Sequence, residues 1–392
     1  MRSPTMMRHL LPIIFSCLAA FGASAWGQRA LVAVPLVHND EATQTIDTRI
    51  ALQPRASGAD PVAWERLYGS TQTRYLRFRF DQIAIPPDSD LELQVVSDPE
   101  DVMVWRLRGA ELARATELTT DLLKPGRYRV RVIVTRLSSP ASLRLAGMNF
   151  QAVSAALIPE SAVMRSKPVA SLVPAHPARG IARSVAMLHI GPLGSTCTAF
   201  LIGDAQMATN FHCLALSARY AQTRTNPKPD CGDIVAEFDF LATDQLGPSA
   251  ACTGVVGADE NRDLVILRIA PPPLAGGGQR AILKLAAAAA PDAAVRILHH
   301  PMGRPMVFED HCELKGFDAG DLMHDCGTMS GSSGSLLLTD SGEVAAVHYK
   351  APYELSTTEA EKERLYQLYG PLYNRAKPVA LLISLPRSGD SR

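Results

Sequence analysis

A serine between glycines, late in the chain, is the first residue whose type and neighbours suggest nucleophilic catalysis. Within residues 328–335, of sequence TMSGSSGS, only Ser333 has a glycine two residues before it and another directly after it. Glycine allows the bend that would aim the backbone N–H groups of Gly331 and Ser333 at one point, where they could stabilise a negatively charged oxygen. Glycine- and serine-rich runs usually form plain loops, so this pattern needs support from elsewhere in the chain.

A histidine and an aspartate earlier in the chain supply groups that could activate this serine. His212 follows the apolar run Phe200–Ile202, and Asp263 opens an alternating apolar segment that continues to Leu267. A serine hydroxyl is a weak nucleophile and needs a base within hydrogen-bond reach, a task that suits imidazole because its pKa lies near neutrality. A carboxylate can fix the imidazole tautomer and stabilise the imidazolium that forms during attack on a carbonyl.

The order of these residues and the segments around them resemble the bacterial trypsin-like serine proteases of the glutamyl and lysyl endopeptidase groups. The resemblance covers roughly residues 184–385, and its matching segments are Cys197–Cys213, Asp263–Leu267, His300–Gly303 and Gly331–Ser335. It implies an all-β, chymotrypsin-like fold, in which two six-stranded antiparallel β-barrels hold the site in the cleft between them. Barrels also fit the many short strand patterns and the near absence of long helix patterns in residues 184–350.

The resemblance implies a secreted serine endopeptidase that hydrolyses peptide bonds through an acyl-enzyme. Ser333 would attack the carbonyl, His212 would take and return the proton, and Asp263 would orient the imidazole. The amides of Gly331 and Ser333 would form the oxyanion hole. No metal or organic cofactor is implied, and the expected partners are protein or peptide substrates. The alternative is a catalytically inactive, protease-like binding protein.

Residues around the nucleophile carry a suggestion about specificity. In glutamyl endopeptidases a threonine five residues before the serine and a histidine fifteen after it line the primary pocket, and Thr328 and His348 occupy those positions here. A hydroxyl and an imidazole can both donate to a substrate carboxylate, so the resemblance predicts cleavage after Glu. Lys350 could favour an acidic side chain or partly block the pocket. The alternative for His348 is that it merely continues the strand that starts at Val344.

One departure from the family concerns activation. Trypsin has an aspartate directly before the nucleophile, and its carboxylate pairs with a freshly cut N-terminal amine. Ser332 stands at that position here, so this ion pair cannot form. We therefore expect any zymogen control to act otherwise, for example through an N-terminal domain that covers the cleft.

Other ionisable residues compete for roles in the site. Asp259 and Asp292 are alternatives to Asp263 as the orienting carboxylate, but only Asp263 directly opens a strand of the family's form. His299 and His300 follow an apolar strand pattern and resemble the family's strand-end turn. We expect a structural role for both.

The cysteine pattern and the N-terminus indicate export. Residues 1–25 have the basic start, the short apolar run and the Ala-Ser-Ala end of a cleavable signal peptide, which predicts a secreted or periplasmic protein. An uncleaved anchor is the alternative, and Cys17 would permit a lipoprotein. Lys and Arg together number 39, as do Asp and Glu, so no overall field would recruit nucleic acid or an anionic membrane.

Removal of the signal leaves six cysteines, an even number that favours disulfides in an oxidising compartment and allows 15 pairings. The family resemblance implies Cys197–Cys213. The simplest nesting of the others predicts Cys231–Cys252 and Cys312–Cys326. A zinc site using Cys312, Cys326 and the nearby His311 and His324 is the rival hypothesis.

The first half of the chain reads as a separate small β domain over residues 28–151. Leu76, Phe78 and Phe80 alternate with Arg77 and Arg79, a pattern typical of a strand with one wet face, and similar runs predict a β-sandwich. We expect a propeptide, a folding aid or a binding module. A proline-punctuated linker (152–183) and the catalytic domain (184–386) would follow, with a helix at Thr357–Leu368.

Overall fold

The computed structural model describes residues 42–54, 59–70, 73–152, 165–191, 194–242, 245–287, 293–351 and 373–386. The predicted signal peptide, part of the predicted linker and the predicted helix at Thr357–Leu368 lie outside these residues. No helix in the described part of the chain is long and apolar enough to cross a bilayer.

Residues 42–152 form two four-stranded antiparallel sheets, with strand orders β1-β8-β3-β6 and β2-β7-β4-β5. The two sheets contribute to one hydrophobic core, in which alternate side chains such as Leu93 and Val132 are fully buried. The strands are β1 (Ala42–Leu52), β2 (Val62–Ser70), β3 (Thr73–Ala84), β4 (Asp90–Asp98), β5 (Met103–Arg108), β6 (Glu117–Thr119), β7 (Gly126–Arg136) and β8 (Ala141–Ala152). A short helix, α1 (Gly109–Leu112), follows β5.

The expectation that β3 has one wet face is wrong near its start. Leu76 faces the sandwich core, as the alternation predicts, but Tyr75 and Arg77 on the opposite face are also buried. Tyr75 packs with Val235, which belongs to the following domain, and its hydroxyl contacts Nδ1 of His189 at 3.1 Å. At Tyr75 this face is shielded from solvent because the next domain packs against it.

The described end of the predicted linker is packed rather than extended into solvent. Strand β9 (Lys167–Pro168) pairs with residues 307–308, and a 3₁₀ turn and the helix α2 (Pro177–Ala182) follow it. Val169, Ala178 and Ala182 are buried in a core that they share with the strands that follow them.

Seven strands form the next antiparallel sheet, in the order β14-β13-β10-β11-β12-β16-β15, which curls into a half-barrel. They are β10 (Val185–Ile190), β11 (Ser195–Gly203), β12 (Gln206–Thr209), β13 (Ile234–Phe238), β14 (Ser249–Ala251), β15 (Gly254–Asp259) and β16 (Leu264–Arg268). Two short helices, α3 (Phe211–Ala215) and α4 (Ala218–Thr223), leave the end of β12.

Six strands form a closed barrel, in the order β17-β20-β21-β22-β19-β18, with β18 pairing back to β17; β9 is attached at its edge. They are β17 (Ala294–His299), β18 (Val307–Asp318), β19 (Asp321–His324), β20 (Leu336–Leu338), β21 (Val344–Lys350) and β22 (Asn374–Pro378). A terminal helix, α5 (Ala380–Ile383), follows. The predicted chymotrypsin-like, all-β architecture is confirmed, with the first barrel open.

One hydrophobic core joins the two barrels and explains how they hold a common site. It combines Phe200 and Leu264 of the half-barrel with Leu298 and Leu336 of the closed barrel. The ends of β12, β16 and β20, where the candidate residues lie, are therefore fixed relative to one another.

Three disulfides pair the cysteines as the sequence predicted: Cys197–Cys213, Cys231–Cys252 and Cys312–Cys326. They close loops with sequence separations of 16, 21 and 14 residues, and loops of this size contribute about 3 kcal/mol each. Because Cys312 and Cys326 are bonded to each other, the alternative zinc site at these cysteines is excluded.

Candidate functional site

His212 and Asp263 form a tightly connected pair at the ends of β12 and β16. His212 Nδ1 lies 2.8 Å from Asp263 Oδ2, and the His212 backbone amide donates to Asp263 Oδ1 at 2.8 Å. A carboxylate that accepts the Nδ1 proton leaves the lone pair on Nε2, which is the tautomer a general base requires. The imidazole is 42% exposed, so the ring is open to solvent.

Asn210 explains how the aspartate is held. Its Nδ2 donates to the backbone carbonyl of Asp263 at 3.1 Å. Asp263 has φ +52°, a left-handed conformation in which aspartate is tolerated better than most residues. Among the rival carboxylates, Asp259 pairs with Arg262 at 3.3 Å, and Asp292 lies outside the described residues.

Two of the four clustered serines, Ser330 and Ser333, have hydroxyls that bond to no protein group among the described residues. Ser332 and Ser335 are fully buried and their hydroxyls are engaged: that of Ser332 contacts His299 at the end of β17, and that of Ser335 donates to the Ser332 carbonyl. Ser333 is partly exposed, and within the described part of the chain its hydroxyl donates to no protein group. Exposure does not by itself select the nucleophile, because Ser330 is exposed as well; the prediction of Ser333 rests on the glycines that flank it.

The two glycines near Ser333 are required by close backbone packing, of Gly334 against the half-barrel and of Gly331 against the turn that follows β17. Gly331 and Gly334 have φ +86° and +84°, where a side chain is strained. A Cβ at Gly334 would lie 2.0 Å from the Thr198 carbonyl oxygen. A Cβ at Gly331 would lie 2.6 Å from the carbonyl oxygen of His300.

Thr198, on β11, connects the histidine side of the site to the serine side. Its amide donates to the Ser333 carbonyl at 2.7 Å, and its hydroxyl donates to the Gly331 carbonyl at 2.9 Å. Its own carbonyl accepts from the hydroxyl of Thr209, three residues before His212. The backbone beside Ser333 and the backbone beside His212 are thus bonded to one residue.

The Ser333 hydroxyl and His212 Nε2 form no hydrogen bond with each other in the described structure. Such bonds between catalytic groups are often long without substrate and tighten when it binds. The pair between His212 and Asp263 is in place, whereas the link to Ser333 is not formed.

The amides of Gly331 and Ser333 donate to no protein acceptor among the described residues. The carbonyls of the same two peptide units are engaged: that of Ser330 accepts from the Met302 amide at 2.5 Å, and that of Ser332 from the Ser335 amide at 3.0 Å. Because a trans peptide is planar, a fixed carbonyl directs its N–H the opposite way. Both N–H groups therefore have a fixed direction and no protein acceptor among the described residues.

The predicted pocket residues have neighbours that the sequence did not reveal. The Thr328 hydroxyl donates to Asn374 Oδ1 at 2.8 Å, and Asn374 Nδ2 donates to the Cys326 carbonyl. The single hydroxyl proton of Thr328 is thus committed to Asn374. Asn374 lies at the start of β22, and no local pattern in the sequence marks it.

His348 lies on β21 and is buried. Its Nδ1 lies 3.1 Å from Nε2 of His324, which is also buried. Burial, with a smaller effect from His212, lowers the pKa of His348 to about 3, and burial likewise lowers the pKa of His324 well below its ordinary value. Both imidazoles are neutral at pH 7. Lys350, at the end of the same strand, is exposed opposite Arg375.

One cluster has the residue types of a metal site but not the chemistry. Ligand atoms of Cys197, His212 and Cys213 lie within 4.8 Å of one another. Both sulfurs belong to the Cys197–Cys213 disulfide, so neither is a thiolate that could bind a metal. The proximity reflects the disulfide that anchors α3 to β11.

Part of the chain is similar to known proteins. Residues 197–347 match the family model described as Trypsin-like peptidase domain, and this range contains His212, Asp263 and Ser333. The serine endoprotease from Yersinia pestis is similar at 16% identity and TM-score 0.38, covering 54% of this chain and 66% of its own. The Rv3671c protease in its inactive form is similar at 20% identity and TM-score 0.37, covering 56% of this chain and 97% of its own.

No curated protein matches the sequence. The matched range spans the half-barrel from β11 onward and most of the closed barrel. Residues 197–347 are therefore a trypsin-like serine peptidase domain.

Proposed function

We propose that the protein is an exported serine endopeptidase whose catalytic triad is His212, Asp263 and Ser333. The observation that carries the proposal is the double contact of Asp263 with the ring and the amide of His212, at 2.8 Å each. It sets the tautomer in which Nε2 can accept a proton. Ser333 is partly exposed, its hydroxyl bonds to no protein group among the described residues, and the Thr198 amide links its carbonyl to the half-barrel that carries His212.

The proposed reaction has two halves that use the same groups. The Ser333 oxygen attacks the scissile carbonyl while His212 Nε2 takes the hydroxyl proton and then delivers it to the leaving amine. Water attacks the acyl-enzyme with His212 again as the base, and the Ser333 hydroxyl is regenerated. The Asp263 carboxylate stabilises the imidazolium in both halves.

The vacant amides of Gly331 and Ser333 support a second part of the proposal, an oxyanion hole. A tetrahedral intermediate places negative charge on the former carbonyl oxygen, and two fixed N–H donors stabilise that charge without reorganisation. The anchored carbonyls of Ser330 and Ser332 keep both donors available.

We further propose a preference for Glu before the cleaved bond, with His348 as the main recognition group. If His348 accepts a proton from His324 Nε2 at its Nδ1, its Nε2 carries the hydrogen that a substrate carboxylate would accept. The imidazole is neutral in the free protein, and an arriving carboxylate would raise its pKa and strengthen the bond. Thr328 contributes through Asn374 and lacks a free proton of its own.

Three disulfides favour an oxidising location, which together with the signal-like N-terminus supports a secreted or periplasmic protein. The rival proposal is a protease-like binding protein with an inactive cleft. The missing hydrogen bond between Ser333 and His212 is the one observation that favours it.

Digestion of a mixed peptide library, followed by mass spectrometry, separates the two proposals. Wild type should cut within peptides, with Glu enriched before the cleaved bonds, and Ser333→Ala should be inactive. Ser341→Ala, an exposed serine in the turn between β20 and β21, is the matched control and should cut like wild type. Intact peptides with folded wild-type protein would support the binding protein instead.

A further inference from the structure

A buried histidine contacts the loop of residues 328–335, which carries Ser333. His299 ends β17, and its Nδ1 is 2.7 Å from the Ser332 hydroxyl; both residues are fully buried. The same hydroxyl oxygen accepts the Met329 backbone N–H at 3.0 Å. Ser332 therefore bridges a strand of the closed barrel and the loop that carries Ser333.

The protonation state of this contact follows from its surroundings. Burial, with smaller effects from His348 and His300, lowers the pKa of His299 to about 3, so the imidazole is neutral. The hydroxyl oxygen already accepts from Met329, and its own proton finds an acceptor at His299 Nδ1. The link is a pair of neutral hydrogen bonds and needs no ion pair.

Ser332 also closes the turn of residues 329–332, next to the Gly331 and Ser333 amides that would form the oxyanion hole. The Ser332 amide donates to the Met329 carbonyl at 2.9 Å, while the Met329 amide donates to the Ser332 hydroxyl. Two hydrogen bonds between Met329 and Ser332 thus hold the turn closed. Gly331 lies inside it and Ser333 directly follows it, so a shift of Ser332 would move both N–H groups of the proposed oxyanion hole.

We propose that His299 is a positioning residue. Through Ser332 it holds the loop of residues 328–335 in the conformation that aims the Gly331 and Ser333 amides at the oxyanion. The proposal rests on the proposed serine endopeptidase function. In trypsin the residue before the nucleophile orders this loop only after pairing with a newly cut N-terminal amine. Here the residue before Ser333 is Ser332, and its partner is the neutral His299 at the end of β17. The loop would therefore take its conformation without a cut N-terminus.

A set of variants at the two residues tests the role. His299→Leu removes the acceptor, and we expect kcat to fall roughly tenfold to a hundredfold with KM within about twofold, because misplaced donors act on the transition state. His299→Asn puts an amide oxygen near the Nδ1 position and should recover most of the loss. Ser332→Ala should resemble His299→Leu, and the double variant should lose little more.

The matched control is His311→Leu, since His311 is 81% exposed on neighbouring β18 and should keep wild-type kcat. Melting temperatures confirm that each protein is folded. A core histidine without a positioning role would lower the melting temperature but leave kcat per folded molecule unchanged, and this result overturns the inference. If His299→Leu does not fold, Ser332→Ala decides by the same criterion.

The wild type separates failure of the inference from failure of the function. Active wild type with equally active His299→Leu and Ser332→Ala overturns only the positioning role. Wild type that neither cuts peptides nor reacts with a fluorophosphonate overturns the proposed function, and the positioning role with it. N-terminal sequencing of active protein should show no correlation between activity and a particular cut.

Discussion

The backbone amide of Thr198 donates to the carbonyl of Ser333 at 2.7 Å. This hydrogen bond joins the half-barrel, which carries His212 and Asp263, to the loop of the closed barrel that carries Ser333. The Thr198 hydroxyl adds a second bond to the same loop, at Gly331. One threonine thus fixes the relative position of the two halves of the site.

Thr198→Val should keep the amide bond to Ser333 but lose the bond from the hydroxyl to Gly331. Because a buried carbonyl is then left without its donor, we expect a loss of about 1–3 kcal/mol in the free energy of unfolding and roughly tenfold in kcat. Urea unfolding and steady-state kinetics measure the two effects. Thr196→Val, two residues earlier on β11, is the control, and equal effects in the two variants would refute the link.

Asp263→Asn should abolish most of the activity while the fold persists. An amide can still accept the His212 N–H, but it no longer fixes the Nδ1 proton, and the expected loss in kcat is roughly four orders of magnitude. Asp259→Asn removes a neighbouring carboxylate that pairs with Arg262 and should retain activity. Near-wild-type kcat for Asp263→Asn would show that this aspartate does not orient the base.

Much of the candidate site can be proposed from the sequence because its residues lie in short local motifs. The flanking glycines distinguish Ser333 from Ser332, and the start of a strand distinguishes Asp263 from Asp259. The disulfides follow from the even number of cysteines, the family resemblance and simple nesting. Each of these signals lies within a few residues of the group it identifies.

The remaining features depend on contacts between distant segments. Asn374 reaches Thr328 across 46 positions, and His299 reaches Ser332 across 33. No periodicity encodes such pairs. The burial of Tyr75 was missed for the same reason, since the alternation shows that two faces differ but not that another domain covers the second.

His348→Gln should reduce selectivity for Glu. A bond from a charged or chargeable donor to a carboxylate is worth about 1.5–3 kcal/mol, so the ratio of kcat/KM for Glu over Gln peptides should fall roughly tenfold to a hundredfold. Matched p-nitroanilide peptides measure this ratio. An unchanged ratio would mean that His348 is only a strand residue.

Acid should destabilise the protein below pH 6.5. The pKa values of His299 and His348 are about 3 in the fold, and the ordinary value is 6.5. Between these values the unfolded state binds more protons, so stability is fully present above pH 6.5 and declines as pH falls toward 3. Each histidine contributes a slope of at most about 1.4 kcal/mol per pH unit.

His299→Asn should flatten this dependence, because asparagine does not titrate. Urea unfolding at a series of pH values from 4 to 7, with disulfides intact, measures the slope. His311→Asn, at an exposed histidine, should leave the slope as in wild type. Identical slopes for wild type and His299→Asn would contradict the assignment of a depressed pKa.

Tyr75→Phe tests the contact of the N-terminal sandwich with the peptidase domain. The Tyr75 hydroxyl contacts His189, whose other ring nitrogen lies 2.8 Å from Glu237 Oε2. Loss of this buried bond should lower the free energy of unfolding by about 1–3 kcal/mol without changing kcat. Tyr68→Phe is the control, because the buried Tyr68 hydroxyl has no partner among the described residues. Equal stability of both variants would mean that this contact is not a docking interaction.

The most direct test of the triad is covalent labelling with a fluorophosphonate, followed by peptide mapping. The account predicts one adduct, on Ser333, which is absent in Ser333→Ala and forms orders of magnitude more slowly in His212→Ala. Folded wild type that takes up no label, or an adduct that persists unchanged in Ser333→Ala, would contradict it.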